Sequence, residues 1–192
     1  MSLLAWNCRG SGGSLNNPIM NHLALPAVGL SGGLWFLWKD DITVNVINGT
    51  HNYILAEAVH VPSATAFGLL CIYDLNNIMN VREKLGPNPA NCARISNFCA
   101  WVKECGLFDL GFHGPAYTWT NKRFSTHPTF QRLDRCLANS DWIVSFPNTA
   151  VYHLPMLYSD HCPILLNIDS KRQLIKKPFR FENWWLEEED FQ

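Results

Sequence analysis

An aspartate and a histidine stand side by side at Asp160 and His161, immediately before an apolar run that is typical of a buried strand. A carboxylate can hold a divalent cation, and an imidazole can stabilise negative charge on a phosphoryl oxygen. Near the other end of the chain, Asn7 follows a first apolar segment and offers an amide oxygen. Each of these residues, taken alone, could equally be an ordinary polar group where a strand ends, and Asn7 could cap a turn.

Further polar residues with chemical potential occur in the middle of the chain. Asp74 and Asn76 follow an apolar run, where Asx residues also form turns routinely. Asp134 stands between Arg132 and Arg135 and could be either a buried partner of another side chain or part of a surface ion pair. The residues alone leave both interpretations open.

The elements that must position these residues are mostly strands. Alternation of apolar and polar residues over 42–46 predicts a half-buried strand. Apolar runs predict further strands at residues 3–8, 32–38, 53–61, 66–73, 116–120, 132–137, 151–154 and 163–168. Strands dominate and no internal repeat is visible, so we expect an α+β (α/β sandwich) fold with two packed, mostly antiparallel β-sheets flanked by helices.

Two helices are predicted between the strands. Asn88 and Pro89 are typical of a helix start, with Asn as the N-cap and Pro at the first helical position. Apolar residues then recur at helical spacing, and Gly106 is expected to end this helix. The residues on its apolar face are Ile95, Phe98, Cys99 and Val102. A second, short helix is predicted with Ser140 as its N-cap.

Composition limits the class of protein. The 192 residues are 47% hydrophobic and 16% charged, which favours one globular domain. The net charge of −1 means that any nucleic-acid surface must be local. The N-terminus lacks the pattern of a signal peptide, and no apolar run reaches the roughly 20 residues of a membrane span. We therefore expect an intracellular protein, nuclear or cytoplasmic, without a membrane segment and monomeric.

The seven cysteines do not have the spacing of a zinc site, since no Cys-x-x-Cys pair occurs. Three of them, Cys92, Cys99 and Cys105, are spaced for one helix. We expect buried, reduced thiols, which is how free cysteines usually behave.

Four segments, taken together and in order, resemble the endonuclease/exonuclease/phosphatase family. They are most similar to the endonuclease domain of plant LINE-type retrotransposons. The segments are residues 4–10, 31–35, 117–121 with 132–137, and 159–164. The resemblance spans the chain to about Asp169, so we expect one domain over 1–169. Residues 170–192 resemble the linker toward a reverse transcriptase region, which is absent from this chain.

The resemblance implies metal-dependent hydrolysis of a phosphodiester, that is, nicking of DNA with Mg²⁺ or Mn²⁺ as the cofactor and DNA as the partner. In this family's arrangement, Asn7 and Asp160 would lie near the metal and His161 would face the phosphate. Asp134 would hydrogen-bond the far side of His161 and fix its tautomer.

The resemblance also implies roles for residues outside this group. Asp74 and Asn76 match part of the family's Gly-Asp-x-Asn motif, and would supply the general base and a donor to the oxyanion. The residues expected on the DNA side are Thr118, Trp119, Asn121 and Arg132. Trp119 could instead belong to the core, and the arginines could belong to a solvated loop.

Two departures from the family pattern bear on activity. Tyr73 stands where the motif has Gly, which indicates a deletion near 73–74 that fuses two distant strands. No Asp or Glu occurs between Asn7 and Gly32, so the segment with the family's metal-binding Glu is predicted to be deleted near 22–31, and Glu57 is not expected to replace it. We therefore expect an impaired endonuclease. The alternatives are a non-catalytic remnant, a nucleic-acid-binding module, or a phosphatase acting on a small phosphoester.

Overall fold

The computed structural model describes residues 2–8, 21–25, 33–38, 42–50, 53–60, 66–72, 76–156 and 159–168. Asp74, the predicted junction at 73–74 and the predicted linker at 170–192 lie outside these ranges. Within them, strands predominate in the order β1 (Ser2–Cys8), β2 (Asn21–Leu25), β3 (Gly33–Trp38), β4 (Ile42–Thr50), β5 (Tyr53–His60), β6 (Ala66–Ile72), β7 (Lys84–Leu85), β8 (Phe108–Asp109), β9 (Trp119–Thr120), β10 (Phe130–Gln131), β11 (Arg135–Ala138), β12 (Ala150–His153) and β13 (Ile164–Asn167).

The strands form two five-stranded antiparallel sheets and one small sheet. The first sheet has the order β12-β13-β1-β3-β2, so the two ends of the described chain lie side by side. In it, Ala5 of β1 pairs with Ile164 on one side and Phe36 on the other. The second sheet has the order β4-β5-β6-β11-β8, and β7, β10 and β9 form the third.

The two large sheets pack against each other through alternate residues of their strands. Leu3 and Ala5 of β1 belong to the same buried cluster as Ile54 and Ala56 of β5. Side chains two apart on a strand point to the same face, which is why these positions can fill one core. Trp142 belongs to the same cluster and has no solvent-exposed surface. The predicted α+β sandwich is therefore confirmed.

Both predicted helices are present, and each has an N-cap other than the predicted one. Helix α1 (Cys92–Glu104) has Asn91 as its N-cap, whose side chain accepts a hydrogen bond from the amide of Arg94. Helix α2 (Ser140–Ser145) has Asn139 as its cap, which accepts from Trp142 in the same way. Asparagine at these positions satisfies an amide that the first turn would otherwise leave unpaired.

The predicted face of α1 is confirmed. Phe98 and Val102 are buried, and Ile95 and Cys99 are half-buried. The helix ends before Gly106, which takes a left-handed φ of 63° that glycine adopts without steric cost.

The expectation that the cysteines are buried holds only in part. Cys136 and Cys162 are buried, and burial raises the pKa of the Cys162 thiol to about 11, with the charge of Asp134 adding to the shift. Cys92 and Cys105 are exposed because they lie at the two ends of α1, away from its packed face. In the described ranges, no helix is long and apolar enough to cross a membrane.

Candidate functional site

The centre of the candidate site is a buried pair formed by Asp134 and His161. Nδ1 of His161 lies 2.8 Å from Oδ2 and 3.1 Å from Oδ1 of Asp134. Asp134 has no solvent-exposed surface and His161 is 3% exposed. Because a carboxylate only accepts, we assign the proton to Nδ1, and Nε2 is then presented on the opposite edge of the ring. The surface ion pair considered for Asp134 is therefore excluded.

Thr118 holds the backbone that carries Asp134. Its Oγ1 accepts hydrogen bonds from the amides of both Leu133 and Asp134, each at 3.0 Å. Thr118 has no exposed surface, so its hydroxyl is not presented to solvent. The structure thus gives Thr118 a positioning role for Asp134 in place of the predicted position on the DNA side.

Asp160 and His161 are joined to the same segment from the other side. The amide of Thr120 donates to the carbonyl of Asp160 at 3.0 Å, and the amide of Cys162 donates to that of Thr118 at 2.8 Å. In addition, Nε1 of the half-buried Trp119 donates to Oδ2 of Asp160 at 3.2 Å. Trp119 is therefore part of the site, where its indole orients the Asp160 carboxylate.

Asn121 organises the loop that follows β9. Its Oδ1 accepts from the amides of Arg123 and Thr129, each at 3.1 Å, and its Nδ2 donates to the carbonyl of His127 at 2.9 Å. The exposed cations Lys122 and Arg123 lie in this loop. The amide of Asn121 thus shapes a surface loop next to the Asp160 segment, and its predicted contact with DNA stays a prediction.

Arg132 belongs to a group that we call the four-charge cluster, in which the buried Arg132 and Arg135 meet the half-buried Glu83 and Asp109. Arg132 binds Asp109 through both nitrogens at 2.8 Å and Glu83 at 3.0 Å. Arg135 binds Glu83 at 2.9 Å and Asp109 at 3.0 Å. Both terminal nitrogens of Arg132 are thus engaged by carboxylates, which leaves its guanidinium unavailable to a DNA phosphate. The predicted solvated loop for these two arginines is also wrong.

The charges of the cluster shift one another's ionisation. Burial alone would raise the pKa of Glu83, but Arg135 and then Arg132 hold it below its usual value. Asp109 behaves in the same way, with Arg132 as its main partner. Burial opposes ionisation of Arg132 as well, yet the carboxylates of Asp109 and Glu83 raise its pKa. Glu83, Asp109 and Arg132 therefore stay charged at neutral pH.

Sequence reasoning missed Glu83 and Asp109, which lie 52 and 26 residues from Arg135. A signal was present in β11, where Arg135 is followed directly by three apolar residues, and all four residues are buried. A charge in such a run needs a buried counter-charge, but nothing local says which carboxylate supplies it.

Asn76 lies in an exposed turn. Its φ of 51° is in the left-handed region that asparagine tolerates better than most residues, and its carbonyl accepts from Nη2 of Arg94 at 2.9 Å. The alternative interpretation of Asn76 as a turn residue is therefore supported. Its partner in the predicted motif, Asp74, lies outside the described residues.

Asp160 is the one described carboxylate that the resemblance places near a metal ion. Mg²⁺ takes about six oxygen ligands, usually one or two protein carboxylates together with waters and substrate phosphates. No group of three or more His, Cys, Asp or Glu side chains that could hold a metal occurs in the part of the chain that the structure describes. Strand β2, at the edge of the first sheet, carries no carboxylate. The backbone of Asn7 pairs with that of Leu34, and the structure does not describe the Asn7 side chain.

A second buried histidine lies close to the cluster. Nδ1 of His153 is 2.8 Å from the carbonyl of Pro115, and its ring stacks on Phe112 with 4.4 Å between centroids. The guanidinium of Arg132 lies 4.5 Å from the same Phe112 ring. Burial lowers the pKa of His153 from its ordinary 6.5, and the charge of Arg132 adds to this although the Pro115 carbonyl opposes it.

His153 is therefore expected to make stability depend on pH. The pKa of His153 in the folded chain lies below 6.5. Its contribution to the free energy of unfolding is therefore complete above pH 6.5, and it is lost as the pH falls from 6.5 toward the lowered pKa. In His153→Asn, whose side-chain amide can still donate to Pro115, this dependence should vanish. Urea unfolding at several pH values measures it. Relative to the variant, wild type should lose up to about 1.4 kcal/mol for each unit of pKa difference. A gap that stays constant with pH would contradict the assignment.

The comparisons with known proteins bear on the fold. No family model matches the chain, and no curated protein matches it. Among solved structures, the chain is similar to the endonuclease domain of TRAS1, a telomere-specific non-LTR retrotransposon, with a TM-score of 0.50 and 16% identity. The similarity covers 77% of this chain and 79% of that one. The chain therefore has an endonuclease-like fold.

Proposed function

We propose that this chain is a retrotransposon-derived endonuclease-like domain, of the plant LINE type, that engages the phosphodiester of DNA through His161 and has lost most of its metal-dependent cleavage. The observation that carries this proposal is the buried Asp134–His161 pair, with Nδ1 of the imidazole 2.8 Å from a carboxylate oxygen. The fold shared with a retrotransposon endonuclease domain supports it.

The geometry of His161 suits contact with a phosphate. With the Nδ1 proton held by Asp134, Nε2 lies on the opposite edge of the ring, where it would donate to a phosphate oxygen when it carries a proton. A positioned donor of this kind stabilises negative charge on a phosphoryl oxygen. Because Thr118 fixes the backbone of Asp134, the imidazole does not have to be reoriented when a ligand arrives.

Asp160 represents the metal side of the proposed site. Mg²⁺ or Mn²⁺, when bound, would neutralise phosphate charge, and Asp160 together with Asn7 would hold it. The indole of Trp119 already orients Oδ2 of Asp160. However, the chain has no Asp or Glu from residue 8 to residue 31, where the resemblance places a further carboxylate. Fewer carboxylates mean weaker binding of a hard cation, and hence slow cleavage.

A plasmid assay tests both halves of the proposal. Supercoiled DNA is incubated with wild type, His161→Ala and the control His22→Ala, whose histidine is exposed on β2, in Mg²⁺, Mn²⁺ or EDTA. We expect no metal-dependent nicking above that of His161→Ala. Duplex binding should weaken about 10–100-fold in His161→Ala, the size of one charge-assisted hydrogen bond, and stay unchanged in His22→Ala.

Two outcomes would overturn parts of this proposal. Nicking that requires the metal and disappears in His161→Ala would show that the domain is an active nuclease, and would end the claim of lost cleavage. Equal DNA affinity of wild type and His161→Ala would remove the phosphate-facing role of His161. Circular dichroism spectra of the three proteins must agree for either comparison to count.

A further inference from the structure

We propose that Arg135 is a positioning residue for the Asp134–His161 pair, because its guanidinium holds closed the backbone bend of residues 132–135 that carries Asp134. The inference rests on the proposed function for the importance of His161. Its tests, however, measure the imidazole and the backbone directly, so they can fail or succeed whether or not the chain binds DNA.

The bend occurs where the chain passes from the small sheet to the second large sheet. Strand β10 ends at Gln131 and β11 begins at Arg135, so the residues between them belong to neither ladder. Their backbone groups are buried and must find other partners. The amides of Leu133 and Asp134 are taken by Thr118, as described above.

The carbonyl of Arg132, at the start of the bend, is taken by Arg135. Nη2 of Arg135 donates to that carbonyl at 2.9 Å and to Oε2 of Glu83 at 2.9 Å. Nη1 of the same guanidinium donates to Oδ2 of Asp109 at 3.0 Å. One rigid, planar group thus joins the two ends of the bend and is itself anchored to two carboxylates. Arg135 is fully buried, so solvent does not compete for these contacts.

Thr118 and Arg135 therefore act on opposite polar groups of the same bend. Thr118 binds its amides, and Arg135 binds its first carbonyl. If either contact is lost, the Asp134 carboxylate can shift relative to the imidazole, because the backbone of His161 is bridged to Trp119 and not to the bend. A shift of a few tenths of an ångström is enough to weaken a 2.8 Å hydrogen bond.

Arg132 provides a matched control for Arg135. Both arginines are buried and bind the same two carboxylates, Glu83 and Asp109. They differ in one respect. Among the described contacts, the guanidinium of Arg135 donates to a backbone carbonyl of the bend, and that of Arg132 does not. Lysine keeps the charge but has a single nitrogen, which cannot reproduce the planar fork. Arg135→Lys and Arg132→Lys thus perturb the cluster similarly, but only Arg135→Lys removes the hydrogen bond from residue 135 to the carbonyl of residue 132.

The experiment follows the ring proton on Nδ1 of His161 by ¹⁵N-edited NMR, together with the melting temperature of each variant. We expect exchange of this proton with water to be about tenfold faster in Arg135→Lys than in wild type, the effect of losing one charged hydrogen bond. In Arg132→Lys the proton should remain protected, although both variants melt at a lower temperature.

Equal exchange in the two lysine variants, or unchanged exchange in Arg135→Lys, would overturn the proposal. If Arg135→Lys does not fold, Glu83→Gln replaces it, since Glu83 is partly exposed and its loss of charge loosens the hold on Arg135. In that variant the amide of Asp134 should exchange faster, while the amides of Val151 and Leu166 in the first sheet should not. If all three amides respond alike, the Arg135 guanidinium does not hold the bend, and the proposal is wrong.

Discussion

Replacement of Arg135 by methionine is expected to lower the free energy of unfolding by about 3–5 kcal/mol, because it breaks a buried ion pair from one side. Glu83 and Asp109 would then face a single arginine, Arg132, in a cluster whose two arginine side chains are 6% and 0% exposed. A carboxylate without its counter-charge in such surroundings costs several kcal/mol. The variant also removes the guanidinium that lies 5.6 Å from the Phe98 ring of helix α1.

Urea unfolding followed by circular dichroism measures this loss. Arg123→Met is the control, since Arg123 is an exposed arginine in the loop after β9, and its replacement should change stability by less than about 0.5 kcal/mol. Adding Glu83→Gln to Arg135→Met should return part of the loss, because the double variant no longer buries the unmatched charge. A loss below about 1 kcal/mol in Arg135→Met would contradict the importance of this ion pair.

Thr118→Val is expected to cost roughly 2–5 kcal/mol although valine has nearly the shape of threonine. The exchange leaves the buried amides of Leu133 and Asp134 without the oxygen that both of them bind at 3.0 Å. Each buried donor left without a partner costs about 1–3 kcal/mol. Because the bend then relaxes, the same substitution should also weaken the hydrogen bond between Asp134 and His161.

Thr149→Val is the matched control for this prediction. Among the residues that the structure describes, the Thr149 hydroxyl is buried and has no hydrogen-bond partner. Replacing it by a methyl group should therefore be neutral or slightly stabilising. Thermal melts give both values, and the NMR signal of the His161 ring proton reports on the site. Equal effects of Thr118→Val and Thr149→Val would show that the two amides do not depend on the Thr118 hydroxyl.

The resemblance and the structure agree on the position of Asp134 beside His161, two residues that are 27 apart in the chain. Their catalytic roles remain predictions. Two of the residues predicted on the DNA side have other partners, because Thr118 is fully buried and Arg132 is held in ion pairs. A polar residue in a motif is the same residue type whether its side chain faces a ligand or a buried backbone amide, and only its contacts in the folded chain separate the two cases.

The sequence by itself determined the features that depend on near neighbours. Period-two alternation predicted the strand at 42–46, and helical spacing predicted the buried face of α1 with Phe98 and Val102. Even here, the caps at Asn91 and Asn139 differed from prediction by one or more residues, since several nearby Asn and Ser side chains could serve.

Only the tertiary structure decided which distant groups meet. The partners of Arg135 lie on β8 and just before β7, and the partner of His161 lies on a bend that Thr118 and Arg135 hold. Spacing along the chain carries information over a few residues, whereas a buried charge is satisfied by whichever opposite charge the packed sheets bring to it. The residue types therefore indicated the chemistry that Asp134, Asp160 and His161 could perform, and the packing decided how their side chains are positioned.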